Sequence, residues 1–205
     1  MNIKLGFLVL GVILCSANVS YADAELWSAN TFQHAFSKEL KLNVIPEIRI
    51  KNGISDAYFI QLYVGPVVAL SKNLEINAYV APNLTKSGNT WSNNYYGYID
   101  GTYKYEFPWF VFSNRSRFED NLTTNVFKYR DLVQFSKHGF SFGDEFFFNF
   151  SKGFFDEGRS SAAYAIKVSS DLSLSLGYLL RRQKKTAASD WQRTSVWTAG
   201  IKMQI

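Results

Sequence analysis

Leu172-Ser173-Leu174-Ser175-Leu176-Gly177-Tyr178-Leu179-Leu180-Arg181 is the stretch that decides the fold. Leu172, Leu174, Leu176, Tyr178 and Leu180 alternate with Ser173, Ser175, Gly177, Leu179 and Arg181, a period of two that sorts side chains onto the two faces of a strand. The same period runs to the end of the chain, where Trp197, Ala199, Ile201, Met203 and Ile205 alternate with Thr198, Gly200, Lys202 and Gln204. Near the start, Leu42, Val44, Pro46, Ile48 and Ile50 alternate with Lys41, Asn43, Ile45, Glu47, Arg49 and Lys51. Alternation over roughly 9–11 residues suits a strand that crosses a bilayer with one face in lipid and the other in a polar interior. No helical period stands out.

Composition points the same way. Aromatic residues make up 17% of the 205 residues, with 18 Phe and 12 Tyr, yet mean hydropathy is only −0.12. Barrel strands average out in this manner because each apolar residue is followed by a polar one. A secreted β-sandwich would alternate too, but its apolar face needs a partner sheet. Here nearly every segment has an apolar or aromatic face, as a wall surrounded by lipid requires. The expected fold is an all-β, antiparallel transmembrane β-barrel of about 10–12 strands. About eleven segments can be counted, and because single-chain bacterial barrels have even strand numbers, ten or twelve are expected. Leu26–Phe36 is the doubtful segment, since neither of its faces is cleanly apolar.

The N-terminus reads as a secretory signal over residues 1–24, leaving a single barrel domain over residues 25–205. Lys4 supplies the positive start, Leu5 to Leu14 is an apolar stretch broken only by glycine, and Ala22-Asp23-Ala24 gives a small-x-small cleavage pattern. That stretch is shorter than the roughly 20 apolar residues a spanning helix needs. Cys15, the one cysteine, lies within it, and the large Leu14 before it disfavours a lipoprotein signal. Secretion and barrel together place the protein in a bacterial outer membrane. Its expected partners are the lipid bilayer with lipopolysaccharide and the barrel-assembly machinery.

Connections are expected to alternate in length. Ser37-Lys38-Glu39, Ser71-Lys72-Asn73, Pro108-Trp109, Lys137-His138 and Ser169-Ser170-Asp171 read as short turns, and Asn52–Asp56, Thr85–Asn93, Asp120–Asn125, Ser151–Ser161 and Gln183–Asp190 as longer loops. Pro46, Pro66 and Pro82 fall on the lipid face of strands, where each removes a ladder donor and predicts a bend or bulge. Trp27, Trp91, Trp109, Trp191 and Trp197 mostly lie near strand ends and suit interfacial girdles.

Counting back from the short turns predicts cross-strand pairs. Across Pro108-Trp109, Tyr105 faces Phe112 and Asp100 faces Arg117. Across Lys137-His138, Phe135 faces Phe140 and Arg130 faces Glu145. Glu47, Arg49, Asp100, Lys104, Arg115, Arg117, Lys128, Arg130, Glu145 and Lys167 then become candidate lumen charges, mixed in sign with a basic excess. Opposite charges that cross-link a narrow lumen are the preferred reading over a pore whose Arg and Lys select anions. Asp131 and Asp144 are the anomaly: the same register sets them opposite each other on the lipid face. A bulge turning them inward, a position near the membrane interface, and an acid/base pair sharing a proton all stand as readings.

Other chemistry has no signal. His34 and His138 lack a Ser and a carboxylate at triad spacing, and no phosphate-binding glycine loop or metal-spaced cluster occurs. No metal or other cofactor is expected. The pI of about 9.2 and net charge of +5 come from Lys and Arg scattered over alternate strand positions, which does not make a nucleic-acid surface.

Glu25-Leu26-Trp27, Pro46-Glu47-Ile48-Arg49, Phe127-Lys128-Tyr129-Arg130, Asp144-Glu145-Phe146-Phe147 and Leu176-Gly177-Tyr178 together resemble an uncharacterised family of bacterial outer-membrane β-barrel proteins, domain of unknown function 2490. The resemblance implies a barrel and the outer membrane, and no substrate. The expected role is a small channel or a structural or surface-interaction barrel of unknown solute. The alternative is a membrane-embedded enzyme acting on an envelope lipid or peptide with Asp131 and Asp144.

Overall fold

A computed structural model describes residues 24–51 and 56–205. The expected signal segment and most of the Asn52–Asp56 loop therefore lie outside the described residues. The strand segments are β1 (Glu25–Ala29), β2 (Thr31–Ala35), β3 (Leu40–Lys51), β4 (Asp56–Ala69), β5 (Leu74–Ser87), β6 (Thr90–Glu106), β7 (Val111–Asn121), β8 (Val126–Lys137), β9 (Phe140–Asn149), β10 (Phe154–Lys167), β11 (Leu172–Gln183) and β12 (Gln192–Gln204). Each pairs antiparallel with its neighbour in sequence from β3 to β12, and β1 and β2 bridge β3 to β12 to close the ring.

β1 and β2 are two halves of one wall strand. Both keep a single register against β3, and both run parallel to β12 in a single register, so the wall has eleven strands. The break falls at Asn30, opposite Pro46. Asn30 donates its N–H to the Pro46 carbonyl at 3.0 Å, but Pro46 has no N–H to return. The expectation of an even count is corrected here. An all-antiparallel ring must have an even number of strands, and the one parallel seam between the first and last strands lifts that restriction. The doubtful Leu26–Phe36 segment is the strand that closes the barrel.

The other prolines act similarly. The β4–β5 ladder has no pairing at Leu62–Tyr63 or Gly65–Pro66, where Pro66 and Pro82 deprive it of donors. Gly65 meets its neighbour so closely there that a Cβ would lie 1.8 Å from the Ala78 carbonyl oxygen.

Turns 36–39, 70–73, 107–110, 138–139 and 168–171 lie at one end of the barrel, which is called the turn end below. Segments 88–89, 122–125, 150–153 and 184–191 lie at the other. The expected difference in loop length is largely absent. Most of Thr85–Asn93 is strand on either side of a turn at Gly88-Asn89, and most of Ser151–Ser161 belongs to β10. Their polar character marks strand ends, not loops.

The outer surface is apolar. Ile60, Leu62, Val80, Ile99, Phe118, Phe142, Phe146, Leu176 and Trp197 are among its exposed residues. Soluble proteins rarely leave so continuous a belt of large apolar side chains in water. The inner face carries the buried polar and charged residues.

Candidate functional site

The interior of the barrel is the only place where the fold gathers charged chemistry among the described residues. On β9 to β12, most inward positions near the turn end are small and partly exposed, and those further along are larger and include the buried Glu145, Phe147 and Glu157. The charged layer is built mostly from ion pairs between neighbouring strands, with Arg115 reaching across β8 to β9. Glu145 on β9 takes Arg115 of β7 at 2.9 Å, Arg130 of β8 at 3.0 Å and Arg159 of β10 at 3.3 Å. Arg130 also reaches Glu119 at 3.3 Å. Asp100 and Arg117 face each other across β6 and β7 and form a two-pronged ion pair at 2.5 Å. Fork-to-fork geometry of this kind is the strongest an ion pair offers.

Trp27 sits among the guanidinium groups. It is 6% exposed, with the Arg49 guanidinium 3.9 Å, Arg159 4.9 Å and Arg181 5.4 Å from the ring centre. Its indole N–H lies 2.7 Å from Glu25 Oε2 and 3.1 Å from the Tyr58 hydroxyl. The girdle expectation for Trp27 is thus corrected: inward parity on β1 sends it into the lumen, where arginine faces can stack on the ring. Trp91 and Trp191 lie at the loop end and Trp109 in a turn, while Trp197 is on the outer face in mid-strand.

The remaining candidates divide clearly. Glu47 and Arg49 pair at 2.6 Å along one strand, Lys128 reaches Asp156 at 3.4 Å and Lys104 reaches Glu75 at 3.5 Å. Lys167 is exposed at the turn end, opposite Ser173, with no ion pair among the described residues. Five members of the network escaped the sequence reading: Glu119, Asp156, Glu157, Arg159 and Arg181. Glu157 binds Arg159 at 2.6 Å and Arg181 at 3.1 Å. A bulge between Phe155 and Glu157 turns the adjacent Asp156 and Glu157 both inward. Strict alternation cannot place two neighbours on one face, and the polar stretch around them had suggested a loop.

The register across β8 and β9 also needs correction. The turn is His138-Gly139, with φ of 49° and 86°, not Lys137-His138. Two successive positive φ angles match the twist of a two-residue hairpin. All pairs therefore slide by two residues: Phe135 faces Phe142, Arg130 faces Phe147 and Leu132 faces Glu145. A shift of two preserves which face each residue occupies, so Arg130 and Glu145 still meet, diagonally.

That slide separates the two outward aspartates. Asp131 faces Phe146 and Asp144 faces Val133. Asp131 accepts hydrogen bonds from Asn114 and Ser116, both at 3.0 Å, while Asp144 accepts one from Ser160 at 2.5 Å and lies 4.0 Å from Arg182. They are not opposed, and they are held by different partners. No bulge turns them inward.

The family model described as protein of unknown function, DUF2490, matches residues 24–193. The chain belongs to the DUF2490 family. That match runs from the residue before β1 to the first residues of β12, so the closing strand and the charged interior both lie within the DUF2490 region. No curated protein matches the chain. Among the described residues of this DUF2490 chain, no group of His, Cys, Asp and Glu is arranged to hold a metal ion. Of its interior carboxylates, Asp100, Glu145 and Glu157 are held by arginines, while Glu25 accepts from the Trp27 indole and the Tyr58 hydroxyl, contacts that fix geometry.

Proposed function

We propose that this protein is an integral barrel of a bacterial outer membrane whose lumen is closed by its own side chains, so that it acts as a structural or surface barrel and not as an open pore. Lipid and lipopolysaccharide surround it, and the barrel-assembly machinery inserts it. The apolar exterior supports the membrane reading. The observation that carries closure is Trp27 with Arg49, Arg159 and Arg181 gathered about it from three other strands. An eight-stranded barrel is just filled by side chains, so eleven strands leave more room to fill. Tryptophan, tyrosine and arginine are the residues long enough to fill it.

Purified protein in planar bilayers should remain silent under conditions in which a control porin conducts. Discrete conductance steps from the unmodified chain would overturn closure. Recovery of the chain as a soluble monomer without detergent would overturn the membrane reading.

A further inference from the structure

The plug occupies only part of the barrel. Below Glu145, towards the turn end, the inward residues of β9 to β12 include Ser141, Gly143, Ser161, Ala163, Ser175 and Thr198, none with a side chain longer than threonine. They are partly exposed, whereas Glu145, Phe147, Glu157 and Val196, further up β9, β10 and β12 on the same face, are buried. On the β2–β4 side Gln33, Asn43 and Val67 are buried, so the space left by these short side chains lies against the β9–β12 wall.

Its charge is positive on balance. Lys41 on β3, Lys104 on β6, Lys167 on β10 and Lys202 on β12 point inward near the turn end, against the acids Glu75 and Glu106. Lys104 approaches Glu75 at 3.5 Å, and neither Lys41 nor Lys202 has an ion pair among the described residues. At the inner limit of the space, Arg115 spends one terminal nitrogen on Glu145, and its Nε has no hydrogen-bond partner. That Nε is buried, but the side chain as a whole is 29% exposed and sets a fixed positive charge at this depth.

We propose that this lower lumen is a one-ended cup that binds a small polyanion, with Arg115 at its base and Lys41, Lys104 and Lys202 around its mouth. The ligand class is a solute with two or more phosphate or carboxylate groups that enters from the turn end. Converging lysines in a confined, partly desolvated space favour anions far more than the same lysines spread over a surface. The cup stands whether or not the barrel conducts, because a plug above it leaves its mouth open.

The test is calorimetric titration of the detergent-folded barrel at low salt with inorganic pyrophosphate and, separately, citrate, with glucose as a neutral control. Binding of at least one anion is expected, weakened about tenfold by K104Q/K202Q, which is about 1.4 kcal/mol. K38Q/K72Q, which removes two lysines in the turns outside the lumen, should leave it unchanged. Should K104Q/K202Q fail to fold, the single variants K41Q and K202Q carry the same expectation of weaker binding. Absence of binding by both anions overturns the cup. So does binding that the lumen variants leave intact, or that K38Q/K72Q weakens as much.

Discussion

Arg130 lies opposite Phe147, yet its guanidinium reaches past that ring to Glu145 at 3.0 Å, with its centre 4.4 Å from the Phe147 ring centre. The contact joins residues that the hairpin register does not pair. It holds because Glu145 collects three arginines, and Phe147 lends its face to two of them, Arg130 and Arg159.

Glu145→Gln should therefore destabilise the barrel by about 3–5 kcal/mol, since it leaves buried guanidinium groups without their shared counter-charge. Arg130→Gln in that background should cost less than it does alone, with a coupling of about 1–3 kcal/mol. Urea unfolding midpoints in lipid vesicles for the four proteins of the cycle measure this. Strict additivity would show that the diagonal contact does not form.

Trp27→Ala should loosen the plug. Truncating a large buried aromatic costs about 3–5 kcal/mol, and here the gap opens among Arg49, Arg159 and Arg181. Conductance events absent from the unmodified chain should appear in planar bilayers. A silent but folded variant would mean that other side chains block the path.

Asp131→Asn should leave the fold intact and stabilise it in bilayers by up to about 1 kcal/mol. The amide oxygen can still accept from Asn114 and Ser116, while the charge, costly on a lipid face, is gone. Loss of stability in the same urea titration would argue that this face meets water.

Gly65→Ala should cost about 3 kcal/mol or prevent folding, because its Cβ would be driven into the Ala78 backbone. Gly97→Ala meets nothing within 4 Å and should shift stability by less than about 0.5 kcal/mol. Gel mobility of unheated against heated samples separates the folded from the unfolded barrel in both cases.

Pro46→Val should stabilise the wall by about 0.5–1.5 kcal/mol, by supplying the N–H that the Asn30 carbonyl lacks. The check is again the unfolding midpoint. An unchanged midpoint would mean that the break at Asn30 has another cause.

What the sequence determined by itself was parity. Alternation assigns each residue to one face, and a turn misread by two residues leaves that assignment intact, which is why Asp100, Arg117, Arg130 and Glu145 could be placed on one face and Asp131 and Asp144 on the other. Tertiary structure decided what local pattern cannot encode. The seam between β1, β2 and β12 joins residues separated by 171 positions, as in Thr31 with Lys202, and nothing in Leu26–Phe36 announces a parallel partner. Asp156 and Glu157 turn inward together only because a bulge absorbs one residue where β10 meets β9. Trp27 becomes a plug instead of a girdle because Arg49, opposite it on β3, is joined by Arg159 and Arg181 from β10 and β11 once the ring is complete. Parity is a property of one strand, whereas register, closure and contacts across the lumen depend on the free energy of the whole ring.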